Sequence, residues 1–142
     1  MKIKTTILII LCLAFVACES GGSFTVDNEG VTFRTASLLG SQIIAANCDD
    51  NGSNCDNILF TSLDETQSGY LIDCDTAGCC SSNAQPGFAI EYSCNSCAGI
   101  TVDQNVKTVT YDTTELNITN ETQSFAGTCS TTIELNGTIS YQ

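Results

Sequence analysis

The chain has 142 residues, with sixteen Asp plus Glu against four Lys plus Arg and a formal net charge of −12. It holds ten Cys but no His and no Trp. Lack of His removes the usual neutral-pH proton carrier and the commonest metal ligand, and with only Arg34 and Lys107 basic beyond the N-terminal segment a phosphate backbone has nothing to hold, which excludes nucleic acid as a partner.

Residues 1–17 read as an export signal. Lys2 and Lys4 form its positive end, residues 7–16 are almost purely apolar, and Ala17 is the small residue expected before a cut. The apolar run is too short for a permanent transmembrane helix, which takes roughly 20 residues. No later stretch approaches that length, so the mature protein is expected to lack such a helix. Phe15-Val16-Ala17-Cys18 resembles a bacterial lipobox, with Phe15 where that motif favours Leu. The resemblance implies acylation of Cys18, with residues 18–23 as a flexible tether. The other reading is a plain secretory signal of a eukaryotic microbe, cut near Ser20 or Gly22. In that case Asn51, Asn117, Asn120 and Asn136, each in an Asn-x-Ser/Thr site, are glycan acceptors. Both readings place the protein outside the cell or on its surface.

Cysteine parity fits either route. Cys12 leaves with the signal. Beyond Cys18 stand Cys48, Cys55, Cys74, Cys79, Cys80, Cys94, Cys97 and Cys129, an even set able to form four bridges. Cys18 is therefore expected to be lipidated or removed.

Residues 24–142 read as one disulfide-rich β domain. The chain beyond the signal carries sixteen acids against two bases, a net charge near −14, and that self-repulsion disfavours a compact state. In chain order, residues 23–26 and 31–33 flank a turn-rich tetrapeptide and suggest a hairpin. Further strands are expected at 42–46, 58–61, 70–74, 88–93, 100–102, 106–111, 116–119, 124–129, 131–135 and 138–141. They are short, rich in β-branched and aromatic residues, and separated by Gly, Asn, Asp and Ser. This spacing predicts an all-β, antiparallel sandwich or partly open barrel with little helix. Ser62-Leu63-Asp64-Glu65 has a capping-box pattern for one helical turn, and residues 36–46 carry a weaker helical alternative. Asn136-Gly137 is a turn signal. A bulged three-residue loop there would pair Ile133 with Ile139 on one face.

Three constellations could carry chemistry. Cys94-Asn95-Ser96-Cys97 has redox-dithiol spacing, but its flanks are strand-like and acidic, which raises a thiol pKa and favours a structural bridge; a four-cysteine zinc site is disfavoured where thiols oxidise. Adjacent Cys79 and Cys80 cannot easily bond each other, so each is expected to pin a different segment. Cys48 is paired with Cys55 as a first guess. Around Gly52, Asn47, Asp49, Asn51 and Asp56 offer oxygen ligands in a pattern resembling the start of an EF-hand loop, with Ile58 where the closing Glu belongs. The sequence thus suggests weak Ca²⁺ binding there or a solvated loop closed by a disulfide. Nothing marks any two carboxylates as a catalytic pair, and the Thr-rich run at 106–122 lacks strict repetition. The resulting expectation is a non-catalytic secreted or surface-anchored structural or interaction protein with no cofactor. It would meet a protein or glycan partner, or copies of itself, through sheet faces and the terminal edge strands at 23–33 and 131–142. The alternative is a ligand-binding module built on the 47–56 loop.

Overall fold

A computed structural model describes residues 24–80, 89–119 and 129–142. The export signal, the tether with Cys18, the strand expected over most of 124–129, and Asn120 lie outside the described residues. Ten strands follow in chain order: β1 (Phe24–Val26), β2 (Glu29–Val31), β3 (Thr35–Leu39), β4 (Gln42–Cys48), β5 (Cys55–Ser62), β6 (Gln67–Asp73), β7 (Ala89–Asn95), β8 (Ile100–Asp103), β9 (Thr108–Ile118) and β10 (Thr132–Ser140). The described helix is a single turn, Cys74–Ala77, capped by the Asp73 carboxylate and closed by Gly78 in the left-handed region. No helix among these residues is long and apolar enough to cross a membrane.

All strands join one antiparallel sheet in the order β2-β1-β10-β9-β7-β6-β5-β4-β3, with β8 added to β9. The sheet curls into a half-barrel, the open-barrel alternative rather than two separate facing sheets. Its far strand bends back toward β10: Leu38 N–H donates to the Gln142 carbonyl (2.9 Å), and Gln142 N–H donates to that of Ala36 (3.2 Å). That is the hydrogen-bond pattern of a parallel bridge centred on Ser37. Parallel pairing is required here, because β10, β9, β7, β6, β5, β4 and β3 form an odd ring of antiparallel neighbours.

The same edge of β10 carries β1 lower down, where Val26 pairs with Leu135. The β1–β2 hairpin turns through Asp27 and Asn28, both at positive φ (50° and 66°), as a two-residue hairpin turn demands. Asp27 also exchanges hydrogen bonds with Glu134. The ring is held together at the Gln142 end, while the other end is splayed by the inserted hairpin.

Inward positions alternate along the strands. Leu59 and Thr61 of β5, Tyr70 of β6, Ile90 and Tyr92 of β7, and Ile133, Leu135 and Ile139 of β10 are buried. Phe24 meets Phe33 and Tyr111 edge-on at ring distances of 5.3 and 5.4 Å, a favourable aromatic geometry. A second apolar cluster, Ile44, Ala46, Cys55 and Ile58, covers the other face of β4 and β5.

Several local expectations are corrected. Asn136-Gly137 is not a turn but lies inside β10, whose register shifts between Leu135 and Gly137 against β9. The extra residue belongs to β9: Asp112 and Thr113 oppose Asn136, Thr113 takes φ 50°, and its N–H donates to Asn136 Oδ1 at 2.8 Å. This bulge lets Val109 and Tyr111 on one side, and Thr114 and Leu116 on the other, all point inward. The paired fragments at 106–111 and 116–119, and at 131–135 and 138–141, thereby become single strands. Ser62–Glu65 makes no helical turn. Asp64 Oδ1 instead accepts from Ser62, Thr66 N–H and Thr66 Oγ1 within the β5–β6 turn, and Glu65 reaches across to Val102 N–H at 2.7 Å. Residues 36–46 are the β3–β4 hairpin, with Gly40 at φ 61° in its turn. Finally, residues 131–142 offer no edge: β10 lies between β1 and β9, whereas β2 ends the strand order.

Candidate functional site

The splayed end forms a half-open cavity of about 480 Å³. Val26 and Val31 of the β1–β2 hairpin, Ile72 and Ile133 form apolar walls, and Asn57, Tyr70 and Tyr92 border it deeper in the sheet. Its position follows from register. Leu59 pairs with Tyr70 and Tyr70 with Tyr92, so the two phenols stand side by side, while Asn57 opposes Ile72 one step nearer the open end. The size lies in the range of small-molecule sites, which combine apolar walls with a few placed polar groups.

Those polar groups are unevenly satisfied. Tyr92 Oη donates to the Ser130 carbonyl at 2.8 Å. Burial, and then the Asp27 carboxylate, raise its pKa. Burial pushes the Tyr70 hydroxyl well above the ordinary phenol range, and a hydrogen bond from the Asn57 side chain opposes this in part. Asn57 itself is only 7% exposed, and its Oδ1 has no hydrogen-bond partner. A buried amide oxygen without a donor costs about 1–3 kcal/mol. Asp27, Glu29, Asn47 and Asp56 also line it, with Asn47 Nδ2 donating to Asp56 Oδ2 at 3.3 Å.

The loop read as a Ca²⁺ candidate divides between two settings. Asn47 and Asp56 line the cavity, whereas the Asp49 carboxylate is taken up by its own loop. It accepts from Ser53 N–H at 2.9 Å and Asn54 Nδ2 at 2.8 Å, and these bonds hold its pKa below the ordinary value. The neighbouring Asp50 faces Arg34 across 3.2 Å of open surface. Among the described residues, no group of three His, Cys, Asp or Glu is placed to hold a metal ion. Asn51 sits in the same loop, Asn117 Oδ1 accepts from Thr132 Oγ1, and Asn136 spends its amide on the β9 bulge and Glu134.

The eight cysteines pair as Cys48–Cys55, Cys74–Cys80, Cys79–Cys129 and Cys94–Cys97. Cys79 and Cys80 thus pin different partners, and the Cys94–Cys97 sulfurs are joined at the end of β7. No family model, no characterised protein and no solved structure matches this chain.

Asn57, Tyr70 and Tyr92 were not singled out from the sequence. A signal was present for the first: Asn57, Leu59 and Thr61 share one alternating set in β5, so an amide falls where an inward side chain is expected.

Deeper in the half-barrel, Thr61 Oγ1 hydrogen-bonds both Ser68 and Tyr111, and burial raises the Tyr111 pKa to about 12. The folded state therefore holds this proton more tightly than the unfolded chain. The linked stability is fully present below pH 10 and is lost as pH rises through 12, a loss of roughly 2–3 kcal/mol. Tyr70 acts in the same direction. Alkaline titration followed by the phenolate ultraviolet band should show these phenols ionising only together with unfolding. Ionisation of all four tyrosines near pH 10 with intact circular dichroism would contradict the assignment.

Proposed function

We propose that this chain is an exported, non-catalytic interaction protein of the cell exterior, secreted or held by lipid on Cys18, that binds a small ligand in the half-barrel cavity. The carrying observation is the Asn57 amide oxygen, buried and unpartnered beside Tyr70 at a cavity of about 480 Å³. A purely structural half-barrel gains nothing from a polar group left unsatisfied at such a place. Four disulfides support an oxidising compartment. Contact with a protein partner or another copy would then use the outer edge of β2.

A protein-observed NMR screen of cationic, neutral and anionic fragments tests the binding reading. Shifts should converge on Asn57, Tyr70, Tyr92 and Ile133. Val31→Trp, a half-buried edge position whose larger side chain fills the cavity, should keep the melting temperature and abolish those shifts. Fragments that perturb only other surfaces, or none at all, overturn the reading.

A further inference from the structure

We propose that the Cys94–Cys97 bridge is a thiol–disulfide exchange site: an external dithiol opens it reversibly in the folded protein and thereby loosens the junction between β7 and β8. This goes beyond the binding reading above and does not depend on it.

Access separates two of the other bridges from this one. Cys55 is fully buried and Cys74 is 9% exposed, so opening Cys48–Cys55 or Cys74–Cys80 releases a sulfur into apolar surroundings, where a leaving thiolate is costly. Cys94 and Cys97 are both half-buried, and Asn95, Ser96, Ala98 and Gly99 around them are exposed. A dithiol reaches this bridge from the surface, and water meets the departing sulfur. Cys79–Cys129 is also half-buried at both ends, and there the consequence differs. It closes a sequence separation of 50 residues against 3 for Cys94–Cys97. Cutting the long bridge returns the most freedom to the unfolded chain and undermines the fold; cutting the short one returns the least, and the fold survives.

The fold also keeps the two freed cysteines in place. Cys94 stays opposite Ser68 in the β6–β7 register, and Cys97 N–H donates to the Thr66 carbonyl, just before β6, at 3.1 Å. Neither anchor uses sulfur, so the thiols remain neighbours and the bridge can form again. Cys97 Sγ lies 3.3 Å from the Cys94 carbonyl oxygen, an acceptor in position for the S–H that reduction creates. Ser96, between the cysteines, holds φ 61°, a conformation that costs a residue with a side chain, and the open form lets it relax. Gly99 follows, its carbonyl accepting from Asp112 N–H at 2.8 Å, so slack in the turn passes to the start of β8.

In the exchange, one thiolate of the dithiol attacks one sulfur of the pair. The S–S bond breaks, and the other sulfur leaves and takes a proton from water. The second thiol of the dithiol, deprotonated, attacks the mixed disulfide and frees the remaining cysteine, which is protonated in turn. Two electrons and two protons pass to the protein, and the dithiol ends as its own disulfide.

Brief treatment with dithiothreitol, quenching by an alkylating reagent and peptide mass mapping give the order of opening; circular dichroism and amide exchange report the fold. The species with one bridge open should carry its alkyl groups on Cys94 and Cys97, about tenfold in excess over any other pair. Its circular dichroism should be native, its amide exchange faster over 95–103 alone, and, in a sample left unalkylated, oxidised dithiothreitol should reverse the change. The double variant Cys94→Ser/Cys97→Ser should fold, show the same faster exchange without reductant, and lose the first labelling step. Another pair opening first, or all eight cysteines labelling together as the circular dichroism is lost, overturns the proposal. Opening at Cys94 and Cys97 with exchange over 95–103 unchanged, or a double variant that exchanges like its parent there, overturns the coupling to β8.

Discussion

Gly99→Ala should destabilise the protein by at least about 3 kcal/mol, lowering its melting temperature by roughly 10 °C or more. Gly99 precedes β8 and adopts φ 79°, where a side chain strains the backbone. A Cβ there would lie 2.1 Å from the Asp112 carbonyl oxygen and 3.0 Å from Thr114 Oγ1. The first neighbour is backbone and cannot turn aside. It belongs to the bulge on β9, and Asp112 N–H donates to the Gly99 carbonyl at 2.8 Å. Relieving the overlap would pull β8 from β9 or shift the bulge that keeps Tyr111 and Thr114 facing inward. Gly69→Ala is the comparison. Its Cβ would meet the tip of the Phe60 ring at 2.1 Å, but that ring is half-buried on the outer cluster and can swing, so about 1–2 kcal/mol is expected. Urea unfolding of both variants decides the matter; a Gly99→Ala protein within 1 kcal/mol of its parent would show that the close approach is not maintained.

The same bulge explains what the sequence made legible and what it hid. Short runs rich in β-branched and aromatic residues, separated by Gly, Asn, Asp and Ser, mark the strands, so the all-β class and most strand positions could be read directly. Phase was harder. Across Asp112 and Thr113 the inward set of β9 changes from odd to even numbers, which looks like the end of one strand and the start of another. Asn136-Gly137 deepened the error, because a residue pair that stabilises positive φ suits a hairpin turn as well as a bulge. Here the Asn side chain holds the opposite strand's extra residue. Ser62–Glu65 failed for a related reason: Ser and Asp hydrogen-bond nearby backbone in turns as readily as at helix starts, and Glu65 satisfies Val102 instead of its own N-cap. The cavity was least legible, since it depends on where the β1–β2 hairpin inserts beside β10, a contact over a hundred residues apart in sequence. Asn57 can be read as inward from β5 alone; that it borders space, and lacks a donor, cannot.

Replacing Cys79 and Cys129 together by Ala should cost about 4 kcal/mol, whereas replacing Cys94 and Cys97 should cost only about 1.5–2 kcal/mol. The difference follows from chain entropy. The first bridge closes a sequence separation of 50 residues and the second only 3, so they restrict the unfolded chain to different extents. Cys48–Cys55 and Cys74–Cys80, at separations of 7 and 6, should fall between. The four together contribute on the order of 10 kcal/mol, comparable with the whole stability of an ordinary domain. Full reduction at neutral pH is therefore expected to unfold this protein. Charge makes the expectation sharper. Excess acid repels itself more strongly in the compact state, and salt screens that repulsion over a distance near 10 Å at 0.1 M. High salt should raise the midpoint of the reduced chain and of the Cys79/Cys129 double variant, moving each toward the folded state. Calorimetry or urea titration of oxidised, reduced and paired-variant protein at two salt concentrations measures every part of this. A reduced chain that stays folded at low salt would mean that packing alone overcomes the acidity, and equal losses from the long and short bridges would mean that the unfolded chain is already too compact for loop length to matter.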